Sequence, residues 1–191
     1  MTRKAEQKQE THEAILASAA GLLRKQGIRA SSVQDVMKGA GLTVGGFYSH
    51  FESKEHLFAA TIRNAGSIMR NWCSSARGET PRERAISVVR QYLSRAHRDH
   101  PEAGCILPST APEVAREGEP YREALEEKLR GFIIAFNQIL GKGAENREQA
   151  VALVALMYGA LSLSRAVEGT PLSNELLKSA RAVAEQILDE I

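Results

Sequence analysis

Residues 31–55 read SSVQDVMKGAGLTVGGFYSHFESKE, two short helical patterns that meet at Gly41. Few folds accommodate that order of residue types. Ser31 and Gln34 are spaced as an S-x-x-Q capping box, which starts the first helix. Val33, Val36 and Met37 follow at helical spacing and give it an apolar stripe. Gly41 then supplies a tight turn, where a left-handed backbone costs a glycine little. Leu42 packs the turn, and the hydroxyl of Thr43 is placed to cap the second helix. Phe47 and Phe51 lie four apart on one face, as core anchors do. Tyr48, His50 and Lys54 are left pointing elsewhere.

The second helix contains two poor helix formers. Gly45 and Gly46 each disfavour a helix interior by about 1 kcal/mol relative to Ala. A sequence accepts that where a side chain would block a surface that must come within contact distance. A DNA backbone, or a base edge in the major groove, is such a surface, so the stretch reads as a helix-turn-helix DNA reader. In the alternative reading the glycines mark a loop and the helix starts at Phe47.

Residues 11–58 resemble the DNA-binding domain of the tetracycline-repressor (TetR) family of bacterial transcription regulators. The most specific part is GFYSHFESKE, Gly46 to Glu55. The resemblance implies an all-α fold, with an N-terminal three-helix reader over residues 1–53 and a helical ligand-binding and dimerisation domain over 54–191. A fourth helix from Lys54 would link the two. Two positions depart from the family pattern. Met37 stands where a small alanine is usual and must find space between the paired helices. Gly45 removes one potential base-contacting side chain.

Composition narrows the class. Of the 191 residues 25% are charged and 43% apolar, ordinary for a globular chain long enough to bury a core. The net charge of +2 identifies no partner by itself. Its distribution says more: nine Lys/Arg stand against six Asp/Glu through Asn64, and sixteen against seventeen beyond it. The small excess of positive charge lies with the reader, as an electrostatic footprint should. Cys73 and Cys105 make no disulfide framework. The opening residues are strongly polar, and the longest uncharged stretch, 149–164, reads as too short and too rich in Ala and Ser for a membrane span. A cytoplasmic protein without membrane attachment is the simplest expectation.

Helical patterns continue along the chain. A basic arm with Arg3, Lys4 and Lys8 precedes a helix with Ile15, Leu16, Ala19, Leu22 and Leu23 on one face, closed by Gly27. Ser53 is a plausible cap for the fourth helix, which is expected to run on past Met69. Pro81 opens another helix. Four prolines between His100 and Pro120 keep any helix there short, and helical spacing returns over 121–140. The last two helices carry apolar surface suited to pairing with a second copy as a four-helix bundle, and the resemblance implies the same dimer. On the final helix the stripe runs through Leu176, Ala180, Val183, Ala184, Ile187, Leu188 and Ile191.

Functional assignments follow from chemistry and resemblance together. Phosphate contacts fix register and base contacts give preference. The resemblance implies that Tyr48, His50 and Lys54 face phosphate. Ser31 and Ser32, at a helix N-terminus, are placed to help clamp the backbone. Thr43, Val44 and Gly45 open the reading helix and are the candidates for base edges. In the second domain, Met69, Trp72, Tyr92, Cys105, Phe132, Phe136, Met157 and Tyr158 are candidates to line a pocket for a small-molecule effector, although residues of these types at helical spacing are more often plain core. The expected partners are a double-stranded DNA operator, that effector and a second copy of the chain. No catalytic motif occurs and no cofactor is implied. His97 and His100 beside Asp99 sketch a metal site without a further ligand set, so no metal is assigned. The competing classes are a thiol-redox regulator using Cys105 or Cys73, and a helical interaction module that has lost DNA binding.

Overall fold

The computed structural model describes residues 3–65, 68–141 and 146–190, and every regular element among them is helical. The α-helices are α1 (Arg3–Gln26), α2 (Val33–Gly39), α3 (Lys54–Asn64), α4 (Ile68–Ser74), α5 (Pro81–Tyr92), α6 (Arg95–Asp99), α7 (Leu107–Glu117), α8 (Tyr121–Leu140), α9 (Asn146–Ala166) and α10 (Pro171–Asp189). Two compact units form. One joins Met1–Gly66 to Ser109–Lys128, and the other joins Ser67–Pro108 to Leu129–Ile191.

In the first unit α1 packs on α2 and α3 around Ile15, Ala19, Leu23, Val36, Phe47, Phe51, Leu57, Phe58 and Ile62, each at most 2% exposed. The Ser18 hydroxyl donates to the Val36 carbonyl at 2.8 Å and ties α2 to α1. The α2 turn closes as predicted, by a Schellman motif. Gly41 takes φ +71, its N–H reaches the Lys38 carbonyl, and that of Leu42 reaches the Met37 carbonyl.

Several expectations need correction. The basic arm is not an arm: α1 is helical from Arg3, with Arg3, Lys4 and Lys8 exposed along its first turns. The cap of α2 lies one residue later than the capping box predicts. Ser32 is the N-cap, accepting from the Asp35 N–H at 3.1 Å, because Ser31 is pulled inward to donate to the Gly27 carbonyl. The helix from Lys54 does not run on past Met69. It ends at Asn64, Ala65 turns to ψ 107, and α4 begins at Ile68. The proline-rich stretch still forms an eleven-residue helix, α7, which passes through Pro112.

In the second unit α5 opens with a complete capping box, Thr80 with Glu83. Its buried face, Ala85, Ile86, Val88, Val89 and Tyr92, packs with α4, α9 and α10. Arg98 on α6 reaches Ser173 and Asn174 of α10 at 2.8 and 3.0 Å. Helix α9 has the length and composition to cross a membrane, contrary to the sequence reading of 149–164, yet it buries Leu153, Val154, Met157 and Leu161 within the unit. On α10 the predicted stripe divides: Ala180, Ala184 and Leu188 are buried, whereas Val183 is 45% exposed. Ile191 lies outside the described residues.

Candidate functional site

The reading element is not an α-helix. Val44–Ser49 forms a 3-10 helix that runs through both glycines, so neither an α-helix from Thr43 nor a helix starting at Phe47 is what forms. Thr43 stands at its N-cap with extended backbone, but its hydroxyl makes no capping bond. Phe47 anchors the element in the core, stacked on Phe51 with centroids 6.0 Å apart. Met37, only 1% exposed, finds its space against Gly46, where a Cβ would lie 3.9 Å from the Met37 methyl.

The outer side of this element is open. Thr43, Val44, Gly45 and Tyr48 are exposed, Tyr48 to 76%. Gly45 has a negative φ, and a Cβ built on it would meet nothing within 4 Å. Nothing among the described residues therefore requires glycine there. Lys54 begins α3, its ammonium 5.3 Å from the Phe58 ring centroid, and Ser53 caps the helix by accepting from His56 N–H at 3.0 Å. His50 is half-buried with Nδ1 sealed and unpartnered. Its ring lies 5.9 Å from His12, which stacks on Phe51 at 4.6 Å. Burial lowers the His50 pKa first, and repulsion from His12 and Lys8 lowers it further. Ser32 is partly accessible at the α2 N-terminus, whereas Ser31 is 1% exposed with its hydroxyl engaged, which withdraws Ser31 from any outward phosphate contact.

The pocket candidates all fall in the second unit. Met69, Tyr92, Cys105, Phe132, Phe136 and Met157 are buried; Trp72 and Tyr158 are half-buried. Three of them gather around a residue absent from that set, His97. Trp72 and Tyr92 meet the His97 ring edge-on, at centroid distances of 4.9 and 4.8 Å. The Cys105 N–H donates to His97 Nε2 at 2.9 Å, which fixes the other nitrogen, Nδ1, as the protonated donor to the Tyr92 carbonyl at 2.7 Å. The imidazole is neutral, its pKa lowered to about 4 by burial, offset by the bond to Tyr92 and helped by the nearby Arg165 cation. Arg165 donates to the carbonyls of His97 and Arg98, and burial lowers its own pKa. Tyr92 is pushed well above the ordinary phenol range, by burial and then by the adjacent Cys105.

His97 and Arg165 had readable traces. Ser94 is spaced three before His97 and caps α6, accepting from its N–H at 3.1 Å, and so turns His97 inward. Arg165 is the first charge after sixteen uncharged residues. His100 is exposed and lies 3.4 Å from Glu102; among the described residues no cluster of three metal-binding side chains forms. The cysteines form no disulfide, and burial pushes the Cys73 thiol up to about 12.

An anchored, capped helix pair presenting an open glycine-bearing element defines a helix-turn-helix DNA-binding protein. The family model described as bacterial regulatory proteins, tetR family, matches residues 15–61, so the chain carries the DNA-binding domain of that family of transcriptional regulators. It is 27% identical to the HTH-type transcriptional repressor NemR of Escherichia coli K12, over 92% of this chain and 94% of that one. The HTH-type transcriptional regulator AcrR of Shigella flexneri is 42% identical over 98 residues, 49% of this chain and 43% of its own. Among solved structures, the reduced form of E. coli NemR superposes with TM-score 0.76 at 25% identity, covering 93% of this chain and 96% of its own. A TetR regulator from Chloroflexus aurantiacus shares the fold, with TM-score 0.78 at 23% identity over 97% of both chains.

Proposed function

We propose that the chain is a repressor that binds a palindrome-like operator as a homodimer and leaves it when a small molecule occupies the second unit. The observation that carries this reading is the open face at Gly45: the element keeps a costly glycine where the chain itself makes no use of it. Residues 1–53 are the reader in this proposal, and 54–191 serve effector binding and dimerisation. Thr43, Val44 and Gly45 meet base edges, while Ser32, Tyr48, His50 and Lys54 meet phosphate. The effector lies against Trp72, Tyr92, Cys105 and Tyr158; His97, with both ring nitrogens held by main chain, braces that wall, and Arg165 is the polar group that orients the effector.

Dimerisation is supported by an apolar groove of about 440 Å³ between α9 and α10, lined by Leu156, Gly159, Leu163, Leu172, Leu176 and Val183. Regulators of this family typically act as dimers, so the occupant proposed for it is a second copy. Two readers on a two-fold axis then require half-sites about 34–36 Å apart. The protein acts on DNA in the cytoplasm, without membrane attachment and without catalysis. The thiol-redox alternative gains little: the Cys73 thiol stays protonated at neutral pH, and Cys105 is 1% exposed.

The test is a mobility shift with the duplex upstream of the protein's own gene, repeated over a panel of hydrophobic small molecules. A shift that vanishes with one of them supports the reading. Absence of any shift, with a folded dimer, would remove it.

A further inference from the structure

We infer that Glu113 on α7 is a positioning residue for the reader: its carboxylate holds the corner between α1 and α2, so the placing of α2 depends on the placing of α7. The inference rests on the DNA-binding reading proposed above and adds to it the residue that sets the reader's register.

The contact is made to backbone. Glu113 Oε2 accepts from the Ile28 N–H at 2.5 Å and from the Arg29 N–H at 3.0 Å. The carboxylate has its seat only because residue 27 has no side chain: a Cβ on Gly27 would lie 2.6 Å from Glu113 Oε1. One turn further along α7, Glu117 pairs with the Arg29 guanidinium at 2.6 Å. Charge-assisted bonds to main-chain donors are stronger than neutral ones and grip the chain whatever side chains it carries.

From that anchor the path to the reading element is short and stiff. The Ser31 hydroxyl closes the corner on the Gly27 carbonyl at 2.7 Å, so residues 27–31 move together. The next residue, Ser32, caps α2, and α2 ends in the Schellman turn that delivers Thr43 and Val44. A second grip acts at the far end of α3. Lys128 on α8 donates to the Ala65 carbonyl at 2.5 Å, where the helix dipole is negative, and Arg63 forks onto Glu123 and Glu127 at 2.8 and 2.9 Å. An anion thus holds main-chain donors at one end of the reader, and a cation holds main-chain acceptors at the other. Helix α7 itself begins at Leu107, two residues after Cys105.

The experiment is amide hydrogen exchange on the full-length protein, with and without a saturating duplex from its own upstream region, for wild type, Glu113→Ala and Glu113→Gln. In wild type, DNA is expected to slow exchange both in residues 44–49 and along α7, since whatever fixes the reader must fix its anchor. In Glu113→Ala the amides of Ile28 and Arg29 should exchange roughly tenfold faster or more. DNA should still protect residues 44–49 but leave α7 unaffected, and the salt dependence of binding should not change because no phosphate contact is lost. An α7 that responds equally to DNA in wild type and in Glu113→Ala overturns the inference, as does an α7 that fails to respond in wild type. Glu113→Gln keeps the volume and the single acceptor that both N–H groups share, so it should retain the α7 response; if Glu113→Ala does not fold, Glu113→Leu, which has no acceptor, is read by the same two criteria. Wild type that binds no DNA strikes instead the reading on which this inference rests, and is recognised because it precedes any substitution.

Discussion

Replacing Leu163 by Glu tests the proposed dimer without touching the fold of the subunit. Leu163 is 57% exposed in the single chain, Leu172 48% and Val183 45%, all on the wall of the α9–α10 groove. Fully burying such a side chain is worth about 1.5–3 kcal/mol, so covering the exposed half of each contributes roughly 1 kcal/mol. A two-fold interface counts every residue twice, so the three together supply roughly 6 kcal/mol, about four decades in dimer affinity. Leu163→Glu removes its own share from both copies and places two carboxylates in the covered seam. An uncompensated buried charge costs several kcal/mol, so the total loss is about 8 kcal/mol or more. That is enough to turn a nanomolar dimer into a millimolar one. In the free subunit the same residue faces water, and its folding free energy should shift by no more than about 0.5 kcal/mol. Sedimentation velocity at micromolar concentration should therefore show folded monomers. With bivalent attachment lost, operator affinity should fall by about 100-fold or more. A Leu163→Glu protein that sediments as a dimer and binds DNA like wild type would refute the interface. Leu188→Glu is the contrasting control: Leu188 is 1% exposed inside the subunit, and that substitution should unfold it.

Lys54→Ala and Tyr48→Phe should each weaken binding to all duplexes alike, and a lost ionic contact should flatten the salt dependence by about 0.9 log units per phosphate contact; an unchanged salt slope in Lys54→Ala would return that lysine to its contact with Phe58. His97 ties stability to pH. Its folded pKa of about 4 lies below the ordinary 6.5, so the neutral ring stabilises the fold above pH 6.5, and that stability is lost as pH falls toward 4. The full effect is on the order of 3 kcal/mol, and urea midpoints of His97→Gln should lack that component of the acid decline; a decline parallel to wild type would place the cause elsewhere. Peroxide should release neither wild type nor Cys105→Ser from DNA, because the thiol is buried; release of wild type alone would make Cys105 the signal receiver.

The reader was legible because local signals there agree with the tertiary structure. Gly41 closes α2, Ser53 caps α3, and Phe47 with Phe51 makes the small core, each as its spacing implies. The misplaced cap shows the limit of such rules. The capping-box spacing picks out Ser31, and only burial of its hydroxyl against the Gly27 carbonyl leaves the cap to Ser32. The form of the reading element was likewise out of reach. A Gly-Gly pair weakens the α-helix, but whether a loop or a 3-10 turn replaces it depends on how Phe47 is held by its neighbours.

The second unit was readable in its helices and not in their facing. Periodicity locates an apolar stripe but does not say whether the chain's own core or a partner covers it. On α10 the one stripe divides: Ala184 and Leu188 turn inward, while Val183, adjacent in sequence to Ala184, opens on the groove. The polar heart of the unit was hidden for a different reason. His97 and Arg165 lie 68 residues apart in the chain and meet through a main-chain carbonyl, a contact that imposes no residue type on either side and so leaves no pattern in the sequence. Glu113 escapes notice in the same way, since its partners are the backbone N–H groups of Ile28 and Arg29. Side chains that hold backbone are constrained by geometry alone. The one trace such a contact leaves is the residue that must stay small to admit it, here Gly27, whose sequence signature as a helix terminator concealed its second role as the seat of a carboxylate.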